Sequence, residues 1–122
     1  MPSPDFQHLR LSMVQDVAVV EIRTRDLQGP MLARELSAEL ALVTAQEWAR
    51  RLLVNFRGVA YLSSTGFAAL FKLVSRARSE GREVKLCGME TGLRLGAEIV
   101  GLQKLVEIHD DEASALRTFA RA

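Results

Sequence analysis

The chain has 122 residues, which fits a single domain whose core is large enough to fold without disulfides or a metal. Hydrophobic residues make up 48% of the chain and charged residues 25%, and these proportions exclude a disordered or fibrous protein. The formal net charge of +1 is too balanced for direct binding to nucleic acid or to an anionic membrane surface, since both need a concentrated basic face.

Three features of the chain predict a cytoplasmic protein. No apolar run approaches the roughly 18–20 residues that a membrane-spanning helix needs, so we expect no membrane span. The N-terminus has no basic region followed by an apolar stretch, so no secretory signal is expected. The single cysteine, Cys87, cannot form an internal disulfide, and its strand-like surroundings predict a small buried hydrophobe in a reducing compartment.

The pattern of apolar residues predicts strands that alternate with helices. Short runs that are β-branched, or that alternate apolar with polar side chains, indicate strands, whereas apolar residues three and four apart indicate amphipathic helices. The clearest helix begins at Phe67, and Gly81 is the residue expected to end it. The predicted strands are residues 8–13, 17–22, 52–56, 83–87 and 105–108, and the predicted helices begin at residue 30, at residue 67, within residues 91–100 and after residue 112.

This order of elements, β-β-α-β-α-β-α-β-α, predicts an α/β fold. The first two strands are joined by a short turn and form an antiparallel hairpin, while strands that alternate with helices imply parallel crossovers. We therefore expect a mixed sheet of about five strands. The domain is expected to cover residues 8–120, and residues 1–7 are polar and predict a loose start.

The sequence lacks the signatures of common enzymes and metal sites. It contains neither a phosphate-binding loop nor a dinucleotide-binding glycine fingerprint, so we expect no cofactor. Two histidines and one cysteine are too few for the common zinc sites, so no metal is expected. A serine hydrolase would need a nucleophile elbow, but Leu62 stands where that motif has glycine, and neither His8 nor His109 has a marked orienting acid. We predict no catalytic residue and no enzyme activity.

Three consecutive hydroxyl residues, Ser63, Ser64 and Thr65, lie between the central strand and the clearest helix. One of the two serines is expected to cap that helix by accepting hydrogen bonds from its free N–H groups, which stabilises it by about 1 kcal/mol. Capping uses one hydroxyl, so a second role stays open for the others. A phosphate at a helix N-terminus is tolerated by the helix dipole and adds about 1.5–2 negative charges, which would expel a partner docked over the junction.

Three sequence blocks, in the same order, resemble the STAS domain of anti-sigma factor antagonists. Residues 53–70, LVNFRGVAYLSSTGFAAL, are similar to the family's core motif, in which a strand leads to Asp-Ser-Ser/Thr-Gly and then a helix. Residues 78–86 resemble the end of that helix and the next strand, and residues 100–108 resemble a family stretch with the pattern Gly-Leu-x-x-Leu. The resemblance covers residues 8–120.

The resemblance implies a sheet packed mainly on one side by helices, and a domain that catalyses no reaction. Members of this family typically bind an anti-sigma factor with a serine kinase fold that uses ATP, and phosphorylation of the antagonist switches the interaction off. The phosphoacceptor position falls on Ser64, and Thr65 and Gly66 match the next two positions of the motif. The predicted partner-docking residues are Ser63, Ser64, Thr65, Gly66 and Asp26.

Two positions depart from the family pattern. Ser63 stands where the motif has aspartate, and Asn55 stands where the preceding strand usually has aspartate. Both changes remove a negative charge near the acceptor, and a serine can still cap the helix but presents no charge to a kinase. Two functions therefore stay open. One is an antagonist switched off by phosphorylation of Ser64, and the other is a constitutive, non-phosphorylated interaction or scaffold module.

Overall fold

A computed structural model describes residues 6–119, so most of the predicted loose segment, residues 1–7, lies outside the described residues, as does the predicted end of the domain at residue 120. Within residues 6–119 there are seven strands, four α-helices and one 3-10 helix. The elements are β1 (Leu9–Val14), β2 (Val17–Ile22), β3 (Asp26–Leu27), α1 (Gly29–Thr44), β4 (Arg51–Asn55), β5 (Tyr61–Leu62), α2 (Ser64–Ser79), β6 (Glu83–Cys87), α3 (Thr91–Ile99), the 3-10 helix (Leu102–Lys104), β7 (Ile108–His109) and α4 (Glu112–Phe119).

Five strands form one mixed sheet in the order β1-β2-β4-β6-β7. β1 and β2 are antiparallel and form the predicted hairpin, and every other neighbouring pair in this sheet is parallel. The two residues of the hairpin turn, Gln15 and Asp16, both have positive φ angles (52° and 67°), as in a type I′ turn. The predicted α/β class and the mixed sheet are confirmed.

The two faces of the sheet are covered unequally. Successive strand residues point to opposite faces, so Val54 joins the larger core under α1, α2 and α3, while Leu53 joins a smaller cluster with Phe119 of α4. Three helices thus cover one face and one covers the other, as the family resemblance implies. Among the described residues, no helix is both long and apolar enough to cross a membrane.

The last strand of the sheet differs from its prediction. The sequence predicts a strand at residues 105–108, but β7 begins only at Ile108 and pairs with β6 through two residues. The preceding residues form the 3-10 helix, and the N–H groups of Leu105 and Val106 both donate to the Leu102 carbonyl oxygen (2.9 and 3.1 Å). Leu102 and Val106 are buried, so this compact turn is stabilised by apolar contacts that an extended strand would lose.

A small second sheet is absent from the sequence prediction. β3 and β5 pair in parallel, with Asp26 opposite Tyr61 and Leu27 opposite Leu62. Each strand has only two residues, and no alternation of side chains can be recognised over that length. This ladder fixes the chain immediately before α2.

The apolar face of α2 differs from its predicted position at one residue. Helical spacing places Phe71 on the buried face, yet 36% of Phe71 is exposed, whereas Leu73 is buried. The cause is α1, whose residue Leu36 lines a narrow internal gap together with Leu70 and Leu73 of α2. Leu73 is therefore buried beside α1, whereas Phe71 remains partly exposed.

Candidate docking site at the start of helix α2

The chain that enters α2 is held by the small β3–β5 sheet. The Ser63 N–H donates to the Leu27 carbonyl oxygen (3.2 Å), and the Ala60 N–H donates to the Arg25 carbonyl oxygen (2.7 Å). The side chain of Leu27 is buried beneath this ladder. These backbone hydrogen bonds lie on both sides of β5, so they fix the direction in which α2 begins.

Ser63 is the N-cap of α2, which confirms that a serine of the hydroxyl cluster caps this helix. Its backbone is extended (φ −69°, ψ 164°), and its Oγ accepts a hydrogen bond from the Gly66 N–H at 3.2 Å. Its carbonyl oxygen accepts a hydrogen bond from the Phe67 N–H at 2.9 Å. The Ser63 hydroxyl is thus occupied by capping, which leaves the two following hydroxyls for another role.

Ser64 and Thr65 are the first two residues of α2, and both are exposed. Among residues 6–119, neither side chain has a hydrogen-bond partner. Their N–H groups belong to the first turn, where no intrahelical acceptor exists. The first turn of α2 also carries no acidic residue. The Ser64 hydroxyl therefore lies free at the positive end of a helix dipole.

Gly66 is buried, unlike its two predecessors in the helix. A Cβ at this position would approach Leu62 Cδ1 and would lie 2.9 Å from Leu62 Cγ. Only glycine allows the helix to pass this close to Leu62 without displacing it. Of the predicted docking residues, Gly66 therefore shapes the turn, and it does not reach the surface.

Asp26 lies at the same corner of the molecule because β3 pairs with β5. Its exposed carboxylate accepts a hydrogen bond from the Gln28 side chain at 2.8 Å. Tyr61, opposite Asp26 in the ladder, is 48% exposed, and the sequence prediction misses it. In the sequence, Tyr61 could have been noticed as the single tyrosine of the chain, two residues before Ser63. The fold thus brings Asp26 and Tyr61 to the exposed corner where Ser64 begins α2.

Asn55 ends β4 and connects it to α4. Its side chain is buried, its Oδ1 accepts a hydrogen bond from the Arg57 N–H (2.9 Å), and its Nδ2 donates to Glu112 Oε1 (3.0 Å). Gly88 packs against the same side chain, since a Cβ there would lie 2.5 Å from Asn55 Oδ1. An aspartate at this place would face the Glu112 carboxylate, so the neutral amide suits the contact.

An acidic cleft of about 420 Å³ lies beside Asn55 and includes Asp110, Asp111 and Glu112. Asp111 Oδ1 accepts a hydrogen bond from the Ser114 N–H at 2.8 Å, and this bond lowers the pKa of Asp111. Within residues 6–119, no group of three His, Cys, Asp or Glu side chains is arranged to hold a metal ion. Asp111 thus caps the start of α4, while Asp110 pairs with Arg94 (3.2 Å) and Glu112 accepts the hydrogen bond from Asn55. Each acidic residue of this cleft therefore has a partner within the fold.

The remaining candidate nucleophile is Cys87, and the candidate bases are His8 and His109. Cys87 is buried, and burial together with the nearby charge of Glu112 raises the pKa of its thiol from 9.0 to about 12. The thiol therefore stays protonated at neutral pH and is a poor nucleophile. The rings of His8 and His109 are each hydrogen-bonded to a glutamate, so the expectation that neither has an orienting acid is wrong. Neither ring is hydrogen-bonded to Ser64, however.

Comparisons with known proteins agree with this architecture. Among solved structures, the chain is similar to the Thermotoga maritima protein TM1081, with a TM-score of 0.79, 14% identity, and coverage of 95% of this chain and 97% of that chain. It is similar to the Bacillus cell fate determinant SpoIIAA in its phosphorylated form, with a TM-score of 0.67, 14% identity, and coverage of 91% and 98%.

A transporter domain has the same fold. The STAS domain of a SulP transporter from Vibrio cholerae matches with a TM-score of 0.66, 18% identity, and coverage of 90% of this chain and 89% of that chain. At such identities the similarity to solved structures shows the fold alone. The family model for the STAS domain matches residues 20–115, a span that includes Asp26, Asn55 and the whole hydroxyl cluster. On this match, which covers well over half of its length, the chain belongs to the STAS domain family.

Proposed function

We propose that this protein is an anti-sigma factor antagonist of a bacterial cytoplasmic pathway that regulates transcription. It binds an anti-sigma factor or a related serine kinase through the start of α2, and phosphorylation of Ser64 ends the interaction. The observation that carries the proposal is the division of the hydroxyl cluster: Ser63 is engaged as the helix cap, while Ser64 is exposed without a partner among residues 6–119. A kinase can therefore reach the Ser64 hydroxyl without breaking a hydrogen bond of the fold.

The position of Ser64 supports a switch that acts on a partner and leaves the fold intact. A phosphate there lies at a helix N-terminus, where free N–H groups and the dipole stabilise negative charge. It adds about 1.5–2 negative charges to the exposed corner. The helix N-terminus offsets only part of this charge. A docked partner that offers no cation would have to bury the remainder, which costs about 3–5 kcal/mol. Phosphorylation would thus release the partner, and the chain itself carries out no catalytic step.

The similarity to SpoIIAA in a phosphorylated form supports phosphorylation as a mode of regulation compatible with this fold. The exposed Asp26 and Tyr61 at the same corner supply further surface for a partner that meets Ser64. Thr65 is exposed in the same turn and belongs to the same proposed docking surface.

A second candidate function is a constitutive interaction module that is never phosphorylated. Two neutral residues favour it, because Ser63 and Asn55 stand where the family pattern has aspartate. Similarity to the STAS domain of a SulP transporter also supports this alternative, since that domain is described as part of a transporter.

Incubation with purified serine kinases of the host and ATP tests the switch. Mass spectrometry should detect one added phosphate on the wild type and on Thr65→Ala, and none on Ser64→Ala. Thr65→Ala is the matched control, because both hydroxyls are exposed in the same helical turn. No transfer with any of these kinases would contradict the switch and favour the constitutive module, whereas transfer to Thr65 would contradict Ser64 as the acceptor.

A further inference from the structure

The two edges of the five-stranded sheet, β1 and β7, differ in length. β7 pairs with β6 through only two residues, so that edge is short. β1 has six residues and, in the part of the chain that the structure describes, it pairs with β2 alone. The other side of β1 therefore presents backbone N–H and C=O groups that face no neighbouring strand, and we call this side the free edge of β1.

The hairpin turn determines which residues of β1 face the free edge. Val14 and Val17 flank a two-residue turn, so they exchange hydrogen bonds, and bonded positions then recur at every second residue. The hydrogen bond from the Arg23 N–H to the His8 carbonyl oxygen (2.7 Å) fits this order, because position 8 is an even number of residues from position 14. The residues whose backbone groups point to the free edge are therefore Leu9, Leu11 and Met13.

β1 lacks the features with which sheet edges usually avoid pairing with other chains. Its register with β2 is continuous from Leu9 to Val14, so it contains no bulge. It contains neither proline nor lysine, and its single charged residue, Arg10, forms an ion pair with Glu21 of β2 (3.8 Å). An unbroken edge of this kind can accept another strand.

Apolar side chains beside the free edge are partly exposed. Met13 is 39% exposed, and Leu11 is only partly buried on the face of β1 that α1 covers. The carboxylate of Glu39 in α1 accepts the His8 N–H (2.9 Å) just before β1. Leu42, which is 55% exposed, lies one helical turn beyond Glu39, and α1 and β1 both run opposite to β2. A strand added to β1 would cover part of this apolar surface, which favours association.

We propose that the free edge of β1 is an interface between two copies of this chain, whose β1 strands pair antiparallel about a two-fold axis at Leu11. The register that places Leu11 opposite Leu11 also places Leu9 opposite Met13, so every outward backbone group of these positions finds a partner. About six backbone hydrogen bonds then join the copies. Arg10 lies opposite the neutral Ser12, so no like charges face each other. The two five-stranded sheets become one continuous sheet.

Self-complementarity favours a second copy as the occupant. A row of alternating N–H and C=O groups is satisfied by a strand, and the outward groups of β1 are arranged symmetrically about Leu11. A contact that uses the same surface on both molecules closes after two copies, which is the commonest form of assembly. Six residues extend about 20 Å, so we expect a reversible dimer that depends on concentration. Ser64 lies on α2 and not on this edge, so the inference goes beyond the proposed function and does not depend on it.

Disulfide cross-linking tests the register. In Leu11→Cys, the two cysteines face each other with Cα atoms about 5.5 Å apart, which a disulfide can bridge. Oxidation with copper phenanthroline should therefore give a covalent dimer. Met13→Cys is the matched control on the same face of β1, since its two copies would lie about 13 Å apart along the strands and should not cross-link. The native Cys87 is buried and does not compete.

Sedimentation equilibrium tests the backbone contact without a cross-link. Leu11→Pro removes an N–H that β2 does not use, so the monomer should keep its fold by circular dichroism, while the dissociation constant of the dimer should rise at least about tenfold. Leu11→Val is the matched control, because it keeps both the N–H and an apolar side chain, and it should dimerise as the wild type does.

Four results would overturn the inference. The first is a wild type that stays monomeric up to millimolar concentration. The second is cross-linking of Met13→Cys as readily as Leu11→Cys, and the third is a folded Leu11→Pro that dimerises as tightly as Leu11→Val. The fourth is a monomeric wild type whose complex with the anti-sigma factor is lost in Leu11→Pro, which would assign the free edge to a strand of that partner. If Leu11→Pro does not fold, the cross-linking comparison alone decides. Phosphorylation of Ser64 is measured separately, so the proposed function can stand when this inference fails.

Discussion

At the scale of single residues, Asn55 holds the end of β4 against α4. Its amide donates to Glu112 Oε1 (3.0 Å), and its side-chain oxygen accepts from the Arg57 N–H (2.9 Å). Asn55 is only 5% exposed, so bulk water cannot replace either bond. An amide satisfies both partners at once, whereas a carboxylate would satisfy the Arg57 N–H and repel Glu112.

We expect Asn55→Asp to lower the free energy of unfolding by about 3 kcal/mol at pH 7, because it places a buried carboxylate against the half-buried carboxylate of Glu112. Repulsion raises the pKa of the new carboxyl group in the folded state, so the loss of stability is complete above that raised pKa. Below the ordinary carboxyl pKa of about 4, the group is protonated in both folded and unfolded states, and the loss disappears. Urea denaturation at several pH values measures this dependence.

The matched control is Glu112→Gln in the Asn55→Asp background. The glutamine amide can donate to the new carboxylate, so most of the lost stability should return at pH 7. If Asn55→Asp were as stable as the wild type at pH 7, the contact between residues 55 and 112 would not form as described.

At the scale of elements, two adjacent serines at the start of α2 have different roles. Ser63 accepts the Gly66 N–H through its side chain and is tied to Leu27 through its backbone. Ser64 is the first residue of the helix, and its side chain has no hydrogen-bond partner among residues 6–119. Ser63 therefore stabilises the start of α2, whereas modification of Ser64 would break no hydrogen bond of the helix.

Alanine substitutions at these two positions separate the tasks. Ser63→Ala should lower the free energy of unfolding by about 1 kcal/mol, because the Gly66 N–H loses its acceptor. Ser64→Ala should change it by less than about 0.5 kcal/mol, as expected of an exposed side chain without contacts. Urea denaturation with an unchanged m-value measures both effects. Equal destabilisation by the two substitutions would mean that the cap is shared and that Ser64 is not free for a kinase.

At the scale of the whole molecule, local sequence patterns predict the strands that are buried and of ordinary length. The predicted bounds of β2 and β6 match the structure. β2 is a run rich in β-branched residues, and β6 alternates polar with apolar residues directly after the turn at Gly81. β7 could not be predicted, since its two residues are ordered by pairing with β6, and the residues before it are folded inward by burial of Leu102. The β3–β5 ladder depends in the same way on a distant segment.

The candidate site was predictable in part. The hydroxyl cluster and the proposed acceptor position follow from the motif, but two serines of equal chemistry leave the identity of the cap open until the backbone is known. The contact between Asn55 and Glu112 joins residues 57 positions apart, and the pairing of Asp26 with Tyr61 also depends on tertiary structure. Periodicity carries no information at such separations.

The dissociation constant of the partner complex, measured by isothermal titration calorimetry for the unphosphorylated and the Ser64-phosphorylated protein, tests the central claim most directly. Ser64→Ala treated with the same kinase and ATP serves as the control and should keep the affinity of the unphosphorylated protein. The proposed switch predicts that phosphorylation weakens binding by at least about a hundredfold, because the partner would bury an uncompensated charge. Equal affinity of the two forms would contradict the switch and leave the chain as a constitutive interaction module.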